Sequence, residues 1–205
     1  MEFELYLKQE KEWPKEGKHI LAQYDSESVI VYQAYKSSIG LYAVEHQHFG
    51  GDFSFSRMSW IKPNFLWMMY RSGWGTKEGQ EITLAIKLKK TYFDDVLRNA
   101  YPSTNFHGLP NDEWKSNVAS TDVRLQWDPD HKPDGSSETR RAIQLGLRNE
   151  FLKPFSGQGI ISITNMSPFV EEQRQLVIEN KLDNLILPKE RVYSVEGDVG
   201  KKLGM

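Results

Sequence analysis

The stretch Arg57–Gly75, RMSWIKPNFLWMMYRSGWG, changes period partway along, and the change decides the fold class. Its leading part completes FSFSRMSWI (Phe53–Ile61), which reads as a strand. Pro63 then stands at a position suited to the first turn of a helix, so PNFLWMMYRSG becomes a short helix that Gly73 stops. Asn64–Ser72 is apolar nearly all the way round, the mark of an element buried between layers. A strand that runs into such a helix needs neighbours on more than one side.

Those neighbours can be read outward from it. EITLAIKLKK (Glu81–Lys90) is an amphipathic strand, with Ile82, Leu84, Ile86 and Leu88 on one face and Thr83, Lys87 and Lys89 on the other. VIVYQAY (Val29–Tyr35), β-branched and aromatic, reads as a buried strand. KSSIGLYAVEHQH follows as a helix behind a Ser37 or Ser38 cap, and TYFDDVLRNA as another helix. DVRLQW (Asp122–Trp127), RAIQLGLR (Arg141–Arg148) and GIISIT add strands, and Ser167 with Pro168 opens a helix to about Asn180. FELYL is read as an edge strand. KQEKEWPKEGKH, the segment after Ala100 and DPDHKPDGSSE are read as loops, because Pro and Gly interrupt them or charge dominates. About seven strands and four or five helices in mixed order imply an α+β fold: a single domain with a curved mixed or antiparallel sheet and packed helices. Residues 1–18 read as an N-terminal extension, 19–187 as the core and 188–205 as a C-terminal tail.

Composition narrows the function. A chain of 205 residues with 39% hydrophobic and 26% charged residues has a globular balance. A net charge of −2 gives no overall attraction to nucleic acid or anionic membrane, so neither double-stranded DNA nor a membrane is expected as a partner. With no cysteine, disulfides, thiolate nucleophiles and Cys-ligated zinc are excluded. MEFELYLKQEKEW lacks the basic start and apolar run of a signal peptide, and no segment reaches the roughly 18 apolar residues of a membrane span. A soluble, cytoplasmic protein is expected.

Three cations, Arg57, Lys62 and Arg71, edge the apolar helix and must reach solvent, a carboxylate or a bound anion. Aromatic rings rimmed by such cations commonly hold a nucleotide, with a ring on the base and Arg on phosphate; core packing and snorkelling are the plainer alternative. Arg124 and Gln126 share one strand face, and Gln144 and Arg148 share another. Adjacent strands would make these four a polar wall, which Gln33 and Tyr35 could extend; a wet outer face is the plainer alternative. Asp128, Asp130, His131 and Asp134 lack EF-hand spacing, and no HExxH occurs among the five histidines, so no metal site is assigned. GxSxG and GxxxxGK[ST] are also absent.

YDSESVIVYQAY, RMSWIKPNFLWMMYRSGW, VRLQWDPD and RAIQLGLR, in that order from about Ala22 to about Ser167, resemble the microbial and fungal family called domain of unknown function 4291. That resemblance carries no activity with it. A more remote similarity, in the order strand, helix, strand, helix, strand, is to ADP-ribosyltransferase-like domains, including the RNA 2′-phosphotransferases. It implies a cleft between two small sheets that holds NAD or an ADP-ribosylated intermediate, with Gln33 where such enzymes often carry histidine.

The expected function is therefore binding of a nucleotide ligand (NAD, ADP-ribose or an RNA end), with group transfer as the accompanying chemistry and NAD as the cofactor it would use. Arg57, Lys62 and Arg71 would neutralise phosphate, Trp60 or Tyr35 would stack a ring, and Gln33, Gln126 or Gln144 would read polar edges. The alternative is a non-catalytic protein-interaction domain with a purely structural aromatic core. Single-stranded nucleic-acid binding is a third reading, disfavoured by the net charge.

Overall fold

The structure, a computed structural model covering residues 1–205, runs β1 (Phe3–Leu5), α1 (Tyr6–Glu12), β2 (Leu21–Ala22), β3 (Ser28–Tyr35), α2 (Ser37–His46), β4 (Ser59–Ile61), α3 (Phe65–Ser72), β5 (Ile82–Lys89), α4 (Lys90–Asn99), β6 (Tyr101–Pro102), α5 (Asn111–Ser120), β7 (Val123–His131), β8 (Ser137–Leu147), β9 (Ile160–Asn165), α6 (Ser167–Ile178), β10 (Ile186–Pro188), β11 (Arg191–Val192) and α7 (Gly197–Leu203). Two sheets organise it. One is antiparallel, in the order β3-β5-β9; the other is mixed, in the order β4-β8-β7-β6, with only β6 parallel to its neighbour. Two short antiparallel pairs, β1 with β10 and β2 with β11, complete the α+β domain. Phe3–Leu5 and Arg191–Val192, near the two ends of the chain, thus both take part in strand pairing.

Both faces of the β3-β5-β9 sheet are buried. Val29, Val31, Leu84, Ile86 and Leu88 look into a core shared with α4 and with Val123, Leu125, Ile143, Leu145 and Leu147 of β7 and β8. Ile30, Tyr32 and Ala85 look the other way, onto α3, α6, Tyr6 and Trp13. A helix buried nearly all round fits this second layer: Phe65, Leu66, Trp67, Met68 and Met69 are all buried. Asn64, not Pro63, starts the helix. Its side chain accepts the Trp67 N–H at 2.7 Å, while Gly73 ends the helix in the left-handed region at φ 60°.

Several local readings need correction. The expected strand Phe53–Ile61 is extended only over Ser59–Ile61. Tyr6–Glu12 is helical because Tyr6 and Gln9 point inward while its charges stay outside. Asn111–Ser120 is helical with no buried residue, so it offers no apolar period to read. DPDH belongs to β7, and Ser137 and Glu138 begin β8. Pro129 is tolerated because β6 pairs only with Arg124 and Leu125, leaving that edge of β7 free, and the register shifts between Pro129 and His131.

Candidate functional site

Beyond the shared core, the backbones of the two sheets are joined at one bridge. Tyr32 and Lys62 exchange backbone hydrogen bonds, N–H to O, at 2.7 and 3.3 Å. From this junction β3 and the β4-β8-β7 sheet diverge, and a cavity of about 690 Å³ opens between them, with α3 along one side. Such a volume is ordinary for a small-ligand site.

Lys62 leads from the junction into this cavity, and it is only 5% exposed. Its ammonium meets no carboxylate; its one hydrogen bond, to the Trp60 carbonyl, is long at 3.5 Å. Burial pushes its pKa from 10.5 down to about 8, nearby Arg71 adds to the fall, and Asp128 opposes it. Arg71, exposed in the last turn of α3, lines the same cavity.

Two further buried groups on the wall lack partners, the Gln33 Oε1 acceptor and the Trp67 Nε1–H donor. Gln33 is otherwise fixed: its Nε2 donates to Ser59 Oγ at 2.7 Å and to the Trp60 carbonyl at 3.1 Å. Tyr35 and Ser59 share a hydroxyl hydrogen bond at 2.9 Å, and burial raises the Tyr35 phenol above its ordinary range. Trp67 is stacked with Tyr70 and His131, the Tyr70 and His131 rings lying 3.5 Å apart. Burial lowers the His131 pKa, with Asp130 and Asp128 opposing the fall. An unpaired buried donor and acceptor, and a buried cation without a carboxylate, are each costly to the fold.

The far wall is the polar face of β7 and β8. Gln126 and Gln144 stand directly opposite each other in the register, and both donate to Asp128, at 3.0 and 2.8 Å. Trp60 lies over Gly146 of β8. A Cβ there would fall 2.6 Å from Met58 Sδ and 3.0 Å from the Trp60 ring, so only glycine lets both side chains lie on the strand.

Of the expected site residues, Gln33, Tyr35, Trp60, Lys62, Arg71, Gln126 and Gln144 therefore line one cavity. Three do not. Arg57 is exposed on the loop before β4, so the three cations around α3 do not converge as a set. Arg124 donates to the Val118 carbonyl at 3.2 Å and Arg148 to those of Thr121, at 3.0 Å, and Ala119, with Asp122 3.6 Å away. They hold the C-terminal end of α5, whose carbonyls need donors and whose dipole favours cations. Trp74 is also outside, donating to the Pro133 carbonyl at 3.0 Å.

Sequence reasoning missed Ser59, Trp67, Tyr70 and Asp128. Asp128 was legible: it continues the alternation of Arg124 and Gln126, but the surrounding prolines led it to be read as loop. The other acids of that segment are engaged elsewhere. Asp130 pairs with Arg140 at 2.6 Å, both buried, and Asp134 accepts from Ser136. A second hollow of about 400 Å³ lies on the far side of β3 and β5, where Lys87 faces Asp25 at 3.5 Å and Arg191 lies over the Tyr24 ring.

The architecture and the cavity together define an α+β domain with a cation-bearing cleft between two sheets. The chain belongs to the family described as Domain of unknown function (DUF4291), which it matches over residues 19–193. No curated protein matches the chain.

Proposed function

We propose that the protein binds a nucleotide-containing ligand, such as NAD, ADP-ribose or an RNA end, in the cleft between its sheets. The observation that carries this reading is Lys62: a nearly sealed amine with no carboxylate partner, beside Arg71, facing a cavity walled by aromatic rings. A phosphate would answer both cations, and the Trp60 face offers a surface for a base or a nicotinamide ring.

The same cations would stabilise phosphate charge in a group transfer. An ADP-ribosyltransferase-like activity is supported by the order of elements around a two-sheet cleft. It is tested by release of nicotinamide from NAD. No helix is long and apolar enough to cross a membrane. A cysteine-free chain agrees with a reducing, cytoplasmic setting.

Thermal shift against NAD, ADP-ribose, ATP and a short RNA at millimolar concentration tests the binding. At least one should raise the melting temperature of the wild type and raise that of Lys62→Met by less; no shift with any of them refutes the reading. Because a phosphate binds the ammonium form, affinity should fall as pH rises above about 8. A flat profile from pH 7 to about 9 would remove Lys62 from the anion site.

A further inference from the structure

Within the cleft, the charges are sorted. Lys62 and Arg71 stand toward α3, whereas Asp128 stands on the strand wall, and its hydrogen-bond partners are two neutral amides rather than a cation. A carboxylate serving only to neutralise its surroundings would be drawn into contact with Lys62, which instead feels Asp128 at a distance. Gln126 and Gln144 hold it off. Gln126 Nε2 donates to Oδ1 and Gln144 Nε2 to Oδ2, so the carboxylate is pinned at both oxygens by side chains from two directly paired strand positions.

Pinning leaves capacity. An ionised carboxylate accepts about four hydrogen bonds, and the two amides occupy two of these sites, one on each oxygen. The remaining acceptor sites form a fixed pair in the wall of the cavity, suited to a ligand group that presents two O–H donors on adjacent carbons. A cationic group would also suit a carboxylate, but Lys62 and Arg71 in the same cavity disfavour it. A cis-diol suits both constraints, because it donates twice and carries no charge. Recognition of ribose hydroxyls by a carboxylate is a recurring physical solution in nucleotide sites.

We infer that Asp128 selects ligands whose ribose keeps both the 2′- and 3′-hydroxyls free, so that the substrate class is a 5′-phosphorylated nucleoside with an unmodified cis-diol. The inference rests on the nucleotide reading of the cleft and narrows it. Phosphates go to the Lys62 and Arg71 side and the diol to Asp128. A 2′-phosphate would set its charge against the carboxylate, so NAD is favoured over NADP, and an RNA 3′ end with free hydroxyls over one ending in a 2′- or 3′-phosphate.

Calorimetric titration with ADP, 2′-deoxyADP and 3′-deoxyADP tests this on the unaltered protein, with Asp128→Ala and Lys62→Met as comparisons. The wild type should bind ADP and lose at least about tenfold in affinity when either hydroxyl is removed, as expected for a hydrogen bond to a charged group. Asp128→Ala should bind the three nucleotides equally. Lys62→Met should weaken all three by one common factor and keep their ratio. Equal binding of the three by the wild type overturns the diol inference and leaves the nucleotide reading standing. No binding of ADP also overturns it; if NAD, ADP-ribose, ATP and RNA fail as well, the nucleotide reading falls with it. The deoxy series needs no variant, so a misfolded Asp128→Ala would not rescue the inference.

Discussion

Lys62 and Arg140 are both basic and both almost sealed from water, at 5% and 2% exposure, yet their surroundings differ at every point. Arg140 bonds Asp130 at 2.6 Å, stacks on Trp13 at 5.2 Å and reaches the Pro14 carbonyl at 3.4 Å. Lys62 has one long contact to a carbonyl and an open cavity ahead of it. The first is a charge compensated by the fold, with burial raising the Asp130 carboxyl and Arg140 opposing that rise. The second is uncompensated, and the fold bears the cost. Burial alone therefore does not mark a functional cation; burial without a partner, beside a cavity, does.

The comparison is broken most severely by removing one half of the compensated pair. Asp130→Ala leaves the Arg140 guanidinium buried without a counter-charge and should destabilise the protein by about 3–5 kcal/mol in urea unfolding, with ligand binding by the surviving folded fraction unchanged. Lys62→Met should move stability the opposite way. A fall in pKa from 10.5 to about 8 corresponds to roughly 3 kcal/mol of strain on the charged form, at about 1.4 kcal/mol per unit of pKa. Because the folded pKa is depressed, that penalty is complete below about pH 8, shrinks as pH rises toward 10.5 and is absent above it. Lys62→Met should therefore be more stable than wild type at pH 7, by an advantage that narrows through that window, while binding nucleotides more weakly. A destabilised Lys62→Met would show the lysine to be a structural strut instead.

The contrast was only half legible in the sequence. Lys62 could be singled out because it precedes a helix with no polar face, and a cation at such an edge needs an answer. Its separation from Arg57 could not, because the expected strand before Ile61 is mostly loop and points Arg57 into solvent. The wall of Gln126 and Gln144 followed from period-2 alternation, and their pairing made it real. The same alternation placed Arg124 and Arg148 on that wall, but it carried no information about α5. That helix buries nothing and shows no apolar period, so two arginines that cap its end looked like ligand residues. The α+β class was readable because β5 and β3 carry strong strand patterns. The division into two sheets was not, since the Tyr32 and Lys62 junction is a backbone contact that no side-chain pattern encodes.

A third buried charge sharpens the contrast at smaller cost. Glu190 is 5% exposed and accepts the Phe65 N–H at 2.6 Å and the Asn64 amide at 3.3 Å, so it seals the start of α3. Burial raises its pKa well above the carboxylate range, with Asp130 adding to the rise. Below pH 4.5 the carboxyl is neutral in the folded and the unfolded chain alike and resembles an amide, so Glu190→Gln should sit within about 1 kcal/mol of wild type there, whereas Glu190→Ala should cost about 1–2 kcal/mol through loss of the cap. The folded pKa is raised, so the stability it contributes is complete below 4.5 and is lost as pH rises through the folded value. Wild type should thus lose ground to Glu190→Gln with rising pH, and equal pH profiles for the two proteins would contradict the assignment.

The smallest effect belongs to the arginines that sequence reasoning placed on the ligand wall. Arg148 is about a quarter exposed, and its nearest carboxylate, Asp122, is 3.6 Å away, so its main contribution is to the carbonyls ending α5. Removing it as Arg148→Ala should cost about 1 kcal/mol or less, because a half-wet cation is largely screened and water can take its place at those carbonyls. Hydrogen exchange should show the loss as faster opening of Asn111–Ser120 alone, with the deoxynucleotide ratios of the cleft unchanged. If Arg148→Ala instead weakened nucleotide binding as strongly as Lys62→Met, the polar face of β7 and β8 would be one continuous site, and the division between its glutamine end and its arginine end would be lost.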